Sequence, residues 1–254
     1  MMRNIMLRLA FDGTGYAGWQ RQKEQPTIQG VIEDKLAVMT NGSVVLHGVG
    51  RTDAGVHALG MTANFETGAN IPCAGFLRGL NSMLPEAIRI LAVEEKELGF
   101  HARINSCGKA YLYQLLVGGI CLPTRRLYNH HLKHDLQIEP MRECLAALLG
   151  RRDFACFEAT GSRDPNYLWG RGAVRTIFKA ELTVGEGLPL PICFEISGDG
   201  FLRHMVRNIV GTLLEVGSGR MSVAEFRAVL AGKDRTVAGP TAPARGLFLK
   251  EVYY

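Results

Sequence analysis

An α+β fold of two ferredoxin-like (split βαβ) halves, with antiparallel or mixed sheets, is predicted by three observations. Apolar residues alternate with period 2 at Ile5, Leu7, Leu9 and Phe11, and at several later stretches. Between these stretches they recur at helical spacing. Up to Val93 the elements run strand, helix, strand, strand, helix, strand, which is the split βαβ order, and from about residue 105 a decorated version of that order repeats.

In the first strand Arg8 falls opposite the apolar face. The loop Asp12 to Gln20 follows, mixing glycines with Tyr16 and Trp19. Such aromatics can stack on a base or pin the loop to the core, and both readings stand. The loop lacks a G-x-G-x-x-G turn, and the chain has no P-loop lysine and no His-Glu-x-x-His. Thr27 is a suitable N-cap for a helix with Ile28, Val31, Ile32, Leu36 and Met39 on one side. Strands are expected at Val44 to Leu46 and Leu59 to Phe65. Ile71-Pro72 opens a helix with Phe76, Leu77 and Leu80 inward, and Ile88 to Val93 is the next strand.

The boundary is placed near residue 105, giving domains 1–104 and 105–254. The second half reads as a strand over Lys109 to Leu115 and a helix through Met141, Cys144, Leu145 and Leu148. Strands at Arg175 to Val184 and Pro191 to Ser197 come next. Helices over Phe201 to Val216 and Val223 to Leu230 follow, then a last strand from Leu247. Pairing of the two sheets edge to edge would leave a central basic cleft between the halves.

The 254 residues are 47% hydrophobic and 21% charged, a folded composition. A net charge of +5 permits a nucleic-acid partner without requiring one. Arginines cluster at Arg125-Arg126, Arg151-Arg152, Arg163, Arg171, Arg175, Arg203 and Arg207, and their rigid fork suits phosphates. The six cysteines form no C-x-x-C and no zinc spacing, which points to a reducing compartment without disulfides. The first residues alternate instead of forming a signal-peptide core, and no stretch reaches about eighteen apolar residues. A cytoplasmic location with no membrane partner is expected.

Chemistry concentrates in a few places. The loop Gly48 to Ala58 holds three glycines, Arg51, His57 and a single carboxylate, Asp53. Asp53 is the candidate catalytic carboxylate. The plainer alternative is a turn in which it accepts backbone N–H bonds and pairs with Arg51. On the helix expected from Phe201, Arg203 and Arg207 lie four apart on one flank, and a half-buried arginine there wants a carboxylate or phosphate, Asp53 being a natural partner. Tyr111 can exchange a proton, or pack. Pro240 to Leu247 is a proline-fixed loop that can offer Leu247 as a pocket wall. The irregular loop 153–175, with Phe154, Phe157, Arg163, Asp164, Tyr167, Trp169 and Arg171, suits either a substrate wall or a packed excursion.

Five blocks, in order, resemble one family. They are Asp12-Gly13-Thr14 with Tyr16, Gly18, Trp19 and Gln20; Gly50 to Ala58; Phe100-His101-Ala102-Arg103; Phe201 to Gly211; and Ala238 to Leu247. Together they are similar to the tRNA pseudouridine synthase A family, whose substrate positions are uridines 38 to 40 of the anticodon stem-loop. The resemblance implies Asp53 as catalytic aspartate, Tyr111 as active-site tyrosine and Arg207 as the arginine paired with the aspartate. It implies Arg51 as a substrate contact that holds the flipped base out, and Leu247 as an apolar residue against the base. Phe100, His101 and Arg103, and Arg163 and Arg171 of the long loop, are further candidate substrate-binding residues. The resemblance also implies a homodimer, with tRNA as the partner and no metal or organic cofactor. Val49, Leu112 and Arg152 depart from commoner residues, and none of them removes a catalytic group. The rival readings are a catalytically silent RNA-binding protein, a small-anion enzyme and an assembly module.

Overall fold

The fold is described from a computed structural model covering residues 1–162 and 171–254. In chain order the elements are β1 (Arg3–Phe11), α1 (Ile28–Thr40), β2 (His47–Gly48), β3 (His57–Thr67), α2 (Cys73–Met83) and β4 (Ile88–Lys96). Next come β5 (Gly108–Val117), β6 (His130–Leu132), α3 (Ile138–Leu148), β7 (Gly150–Asp153), β8 (Val174–Val184), β9 (Leu190–Gly198), α4 (Met205–Gly217), α5 (Val223–Gly232) and β10 (Leu247–Tyr253). They form two compact units: Met1–Cys107 with Phe248–Tyr254, and Gly108–Leu247. Each is a mixed α+β assembly of sheet and helices, as the ferredoxin-like reading requires.

In the first unit β1 lies between β4 and β3, antiparallel to both. Its register sets Ile5 beside Phe65, Leu7 beside Ala63 and Leu9 beside Met61, all buried. The period-2 face is therefore the core face, and Ile28, Ile32 and Leu36 of α1 and Phe76 and Leu80 of α2 lie buried with it. Phe65 meets Phe76 edge-on at 5.4 Å. Thr27 caps α1 by accepting from the Gly30 N–H. β10 adds to β3 in parallel, setting Phe248 beside His57 and Leu249 beside Ala58.

The strand expected at Val44 to Leu46 does not form; the extended pair is His47–Gly48. The cause is α1. The Leu46 N–H donates to the Glu33 carboxylate (3.0 Å), and the Leu46 carbonyl accepts from Gln29 Nε2 (3.0 Å). Helix side chains satisfy this peptide, so no sheet neighbour is needed.

In the second unit β9 lies between β5 and β8, and β7 extends the sheet beyond β8, all antiparallel. β6 runs parallel to β5. Buried faces of α3, α4 and α5 contribute Met141, Cys144, Leu148, Met205, Ile209, Leu213 and Phe226 to the core. Ser222 and Glu225 close a reciprocal capping box at the start of α5. The helix expected from Phe201 begins instead at Met205. His204, its N-cap, is left-handed (φ 61°), which a continuous right-handed helix excludes. Arg203 therefore precedes the helix, and the expected flank shared with Arg207 is lost.

No helix among the described residues is long and apolar enough to cross a membrane. All six cysteines are free thiols.

Candidate active site

The Asp53 loop is shaped by the loop before it. The Trp19 N–H donates to the Thr52 carbonyl (3.1 Å), and the Val56 N–H closes a turn on the Asp53 carbonyl (3.2 Å). Gly13 and Gly18 bring the two backbones together. A Cβ on Gly13 would collide with the Val56 carbonyl, and one on Gly18 would collide with that of Thr52. Gly18 also has φ +92°, outside the reach of ordinary side chains. Trp19 is buried against Phe11 and Gly48, so this aromatic pins the loop to the core and is not a base-stacking platform. At the far end of the loop the buried His57 stacks on Phe248 (4.7 Å). Its Nδ1 accepts from the Gly13 N–H (3.1 Å) and lies 3.1 Å from Asp12 Oδ1. Asp53 itself is partly exposed and Arg51 is exposed.

This geometry sets an expected result. Gly18→Ala should displace Thr52 and Asp53 together, cutting product formation by about tenfold or more while the protein stays folded. Circular dichroism beside a single-turnover assay checks it, and full activity would show that the contact tolerates a methyl group.

Phe100, His101 and Arg103 belong to the same unit. Their segment is held by two buried asparagines. Asn4 Nδ2 donates to the carbonyls of Glu97 and Phe100, and Asn64 Oδ1 accepts from the Ala102 N–H. Asn64 Nδ2 donates to Asn4 Oδ1, joining the pair across β1 and β3. The His101 ring sits 5.0 Å from that of His47, Phe100 lies 5.3 Å from Tyr254, and Arg103 is exposed.

Tyr111, Arg207, Arg171 and Leu247 belong to the second unit. Tyr111, on β5, is partly exposed and meets Phe201 edge-on at 5.0 Å. Tyr113, two residues on, is different. It is fully buried, its hydroxyl donates to the Pro243 carbonyl (2.8 Å), and burial pushes its pKa well above the ordinary phenol value. Of the two tyrosines, only Tyr111 has access to solvent and a ligand.

Arg207 is clamped from two sides. Its Nε donates to the Ala242 carbonyl (2.7 Å), and its own carbonyl accepts from the Ala242 N–H (3.1 Å). The loop leading to Leu247 is thus bound to α4 through Arg207. Asn208, which is fully buried, ties the same region together. Its Nδ2 donates to the Phe157 carbonyl, and its Oδ1 accepts from Thr241 Oγ1 and Arg235 Nη2. Leu247 is buried and follows a single helical turn at Ala244–Gly246. Arg171 is paired with Asp199 (2.7 Å), so a phosphate there would have to displace a carboxylate. Arg163, with Asp164, Tyr167 and Trp169 of the long loop, lies outside the described residues.

A profile of the family described as tRNA pseudouridine synthase matches residues 9–105 and 145–254. This chain belongs to that family. Among curated relatives of the synthase, tRNA pseudouridine synthase A 1 of Desulfotalea psychrophila is 52% identical over 253 residues, covering the whole of both chains. The tRNA pseudouridine synthase A of Lacticaseibacillus casei is 44% identical and that of Acetivibrio thermocellus 42%, again over the full length of each. The synthase match takes in every block that the sequence singles out, from the Asp12 loop to Leu247.

Asn4, Asn64, Asn208 and Thr212 were not among the residues expected at the site, yet they hold its segments in place. A signal for two of them exists. Asn208 and Thr212 lie four apart on the apolar face of α4, where a polar side chain needs a specific partner.

Proposed function

We propose that this synthase isomerises uridine to pseudouridine at positions 38, 39 and 40 of the tRNA anticodon stem-loop, acting as a homodimer. The observation that supports this reading most is the family match over both halves, which includes the loop carrying Asp53. The reaction breaks N1–C1′, turns the uracil and joins C5 to C1′; the C5 proton leaves and N1 gains a proton, with no net redox change. The target base must first leave its stack, and Arg51 with loop 153–175 is assigned to holding it out. Phe100, His101, Arg103, Arg163 and Arg171 are assigned to the RNA around it.

Asp53 either attacks C1′, or assists departure of the base and takes a proton from C2′ that returns as C5 joins C1′. Arg207 is the arginine assigned as the partner of that carboxylate. Tyr111 is assigned the C5 proton, a role its exposure permits and Tyr113's burial does not. Leu247 is assigned to the base as an apolar wall, where excluding water prevents loss of the base.

Product mapping on unmodified tRNA transcripts tests the reading, with pseudouridine expected only at positions 38 to 40. Tight tRNA binding without product would favour the silent binding protein. Arg207→Ala should lower turnover at least about a hundredfold and cost about 1–3 kcal/mol through the lost Ala242 clamp. Unchanged turnover would remove Arg207 from the reaction.

A further inference from the structure

A pocket of about 420 Å³ opens in the second unit at the start of α4. Arg203, His204, Asn208, Arg235, Thr236 and Thr241 are among the residues lining it, and among the described residues no carboxylate does. The volume lies within the usual range for small-molecule sites. Arg235 is held as a fixed fork: Nη1 donates to the Ala238 carbonyl (3.3 Å), and Nη2 to Asn208 Oδ1 (3.2 Å) and Thr241 Oγ1 (3.3 Å). All three acceptors are neutral, so the fork is oriented but its charge is not balanced. Among the described residues, neither Arg203 nor Arg235 forms an ion pair with a carboxylate. The neighbouring Asp234 is occupied by the Thr236 N–H and hydroxyl (2.8 Å each).

Two backbone features add to this. His204 is held in the left-handed conformation that places it on the pocket wall, a costly state for a residue with a side chain. α4 is 13 residues long, and its positive end begins at that wall. Two arginines, a histidine, hydroxyls and a helix start, with no lining carboxylate among the described residues, are the chemistry of a phosphate site.

We propose that this pocket holds one backbone phosphate of the bound tRNA, away from the uridine that reacts. The identity of the polyanion rests on the synthase reading; the anion site itself does not. Such a contact fixes the register of the RNA without reading its sequence.

The test uses the full-length protein and unmodified tRNA, with affinity measured between about 50 and 200 mM salt. Arg203→Gln should weaken binding roughly three- to tenfold and make the logarithmic salt slope shallower by about one. Arg203 has an exposed side chain, so the fold should survive the change. Arg142→Gln, on the exposed flank of α3 beside Glu139, should change neither quantity. An unchanged slope for Arg203→Gln, or an equal loss for Arg142→Gln, overturns the proposal. In a second arm inorganic phosphate is titrated and the His204 ring signals are followed by NMR. They should move in the unmutated protein and stay still in Arg203→Gln. Signals that never move remove the anion site. Signals that move while the tRNA slope is unaffected assign the pocket to small free phosphates and overturn the tRNA assignment. None of these readouts uses turnover, so a protein that forms no pseudouridine but keeps the Arg203-dependent slope would end the synthase reading and leave the anion site standing.

Discussion

Asp53→Asn should form no measurable pseudouridine, a loss of at least about a thousandfold, while tRNA affinity stays within about threefold. The substitution keeps the size and planarity of the side chain and removes its charge and nucleophilicity. The loop around it should not move, because it is positioned by backbone contacts: Trp19 N–H to the Thr52 carbonyl, Val56 N–H to the Asp53 carbonyl, and the close approaches at Gly13 and Gly18. A change in turnover can therefore be read as chemistry. Product mapping and filter binding on the same preparations check it. Turnover at the normal rate would transfer the reaction to another group, and a large loss of affinity would make Asp53 a binding residue.

Gly211→Ala should destabilise the protein, against the ordinary rule. Within a helix, alanine in place of glycine normally gains about 1 kcal/mol. Here the added Cβ would occupy the position of the Pro240 carbonyl oxygen. Gly239 approaches the same turn of α4 as closely, and its N–H donates to Thr212 Oγ1 (2.9 Å). The loop cannot retreat without breaking that bond and the paired contacts between Arg207 and Ala242. Overpacking against backbone should outweigh the helix gain by about 2 kcal/mol or more, lowering Tm by roughly 4–8 °C. Turnover should fall as well, since the displaced loop leads to Leu247 and is bonded to Arg207. A raised Tm would mean that the Pro240 loop does not pack on α4 at this distance.

What could be read from the sequence followed from periodicity and caps. Ile5, Leu7, Leu9 and Phe11 marked a core strand, and Thr27 with Ile28, Ile32 and Leu36 marked a capped helix, because burial imposes both periods. The glycine loop around Asp53 stood out because the Trp19 ring against Gly48 and the left-handed Gly55 (φ 75°) leave few other residues available. Features made by single distant bonds left no such trace. Val44 to Leu46 has the residues of a strand, but Glu33 and Gln29 reach over from α1 and take its peptide groups. Phe201 to Arg203 extends an apolar helical pattern, but the left-handed His204 interrupts it. Asn4 and Asn64 occupy strand positions where polarity alone does not reveal that they grip the Phe100 segment from two strands at once.

The parallel addition of β10 to β3 bears on how the molecule is made. Phe248 and Leu249 pair with His57 and Ala58, the residues at the end of the Asp53 loop. Between the first unit's main segment and these partners lie residues 108–247, the whole second unit. On the ribosome that interval takes on the order of ten seconds. During it the nascent first unit carries an unpaired strand edge and an uncovered His57 ring, and the rim of its carboxylate loop lacks its last support. The loop that is encoded early is finished late, so the emerging chain holds the pieces of its Asp53 loop before it can lock them in place.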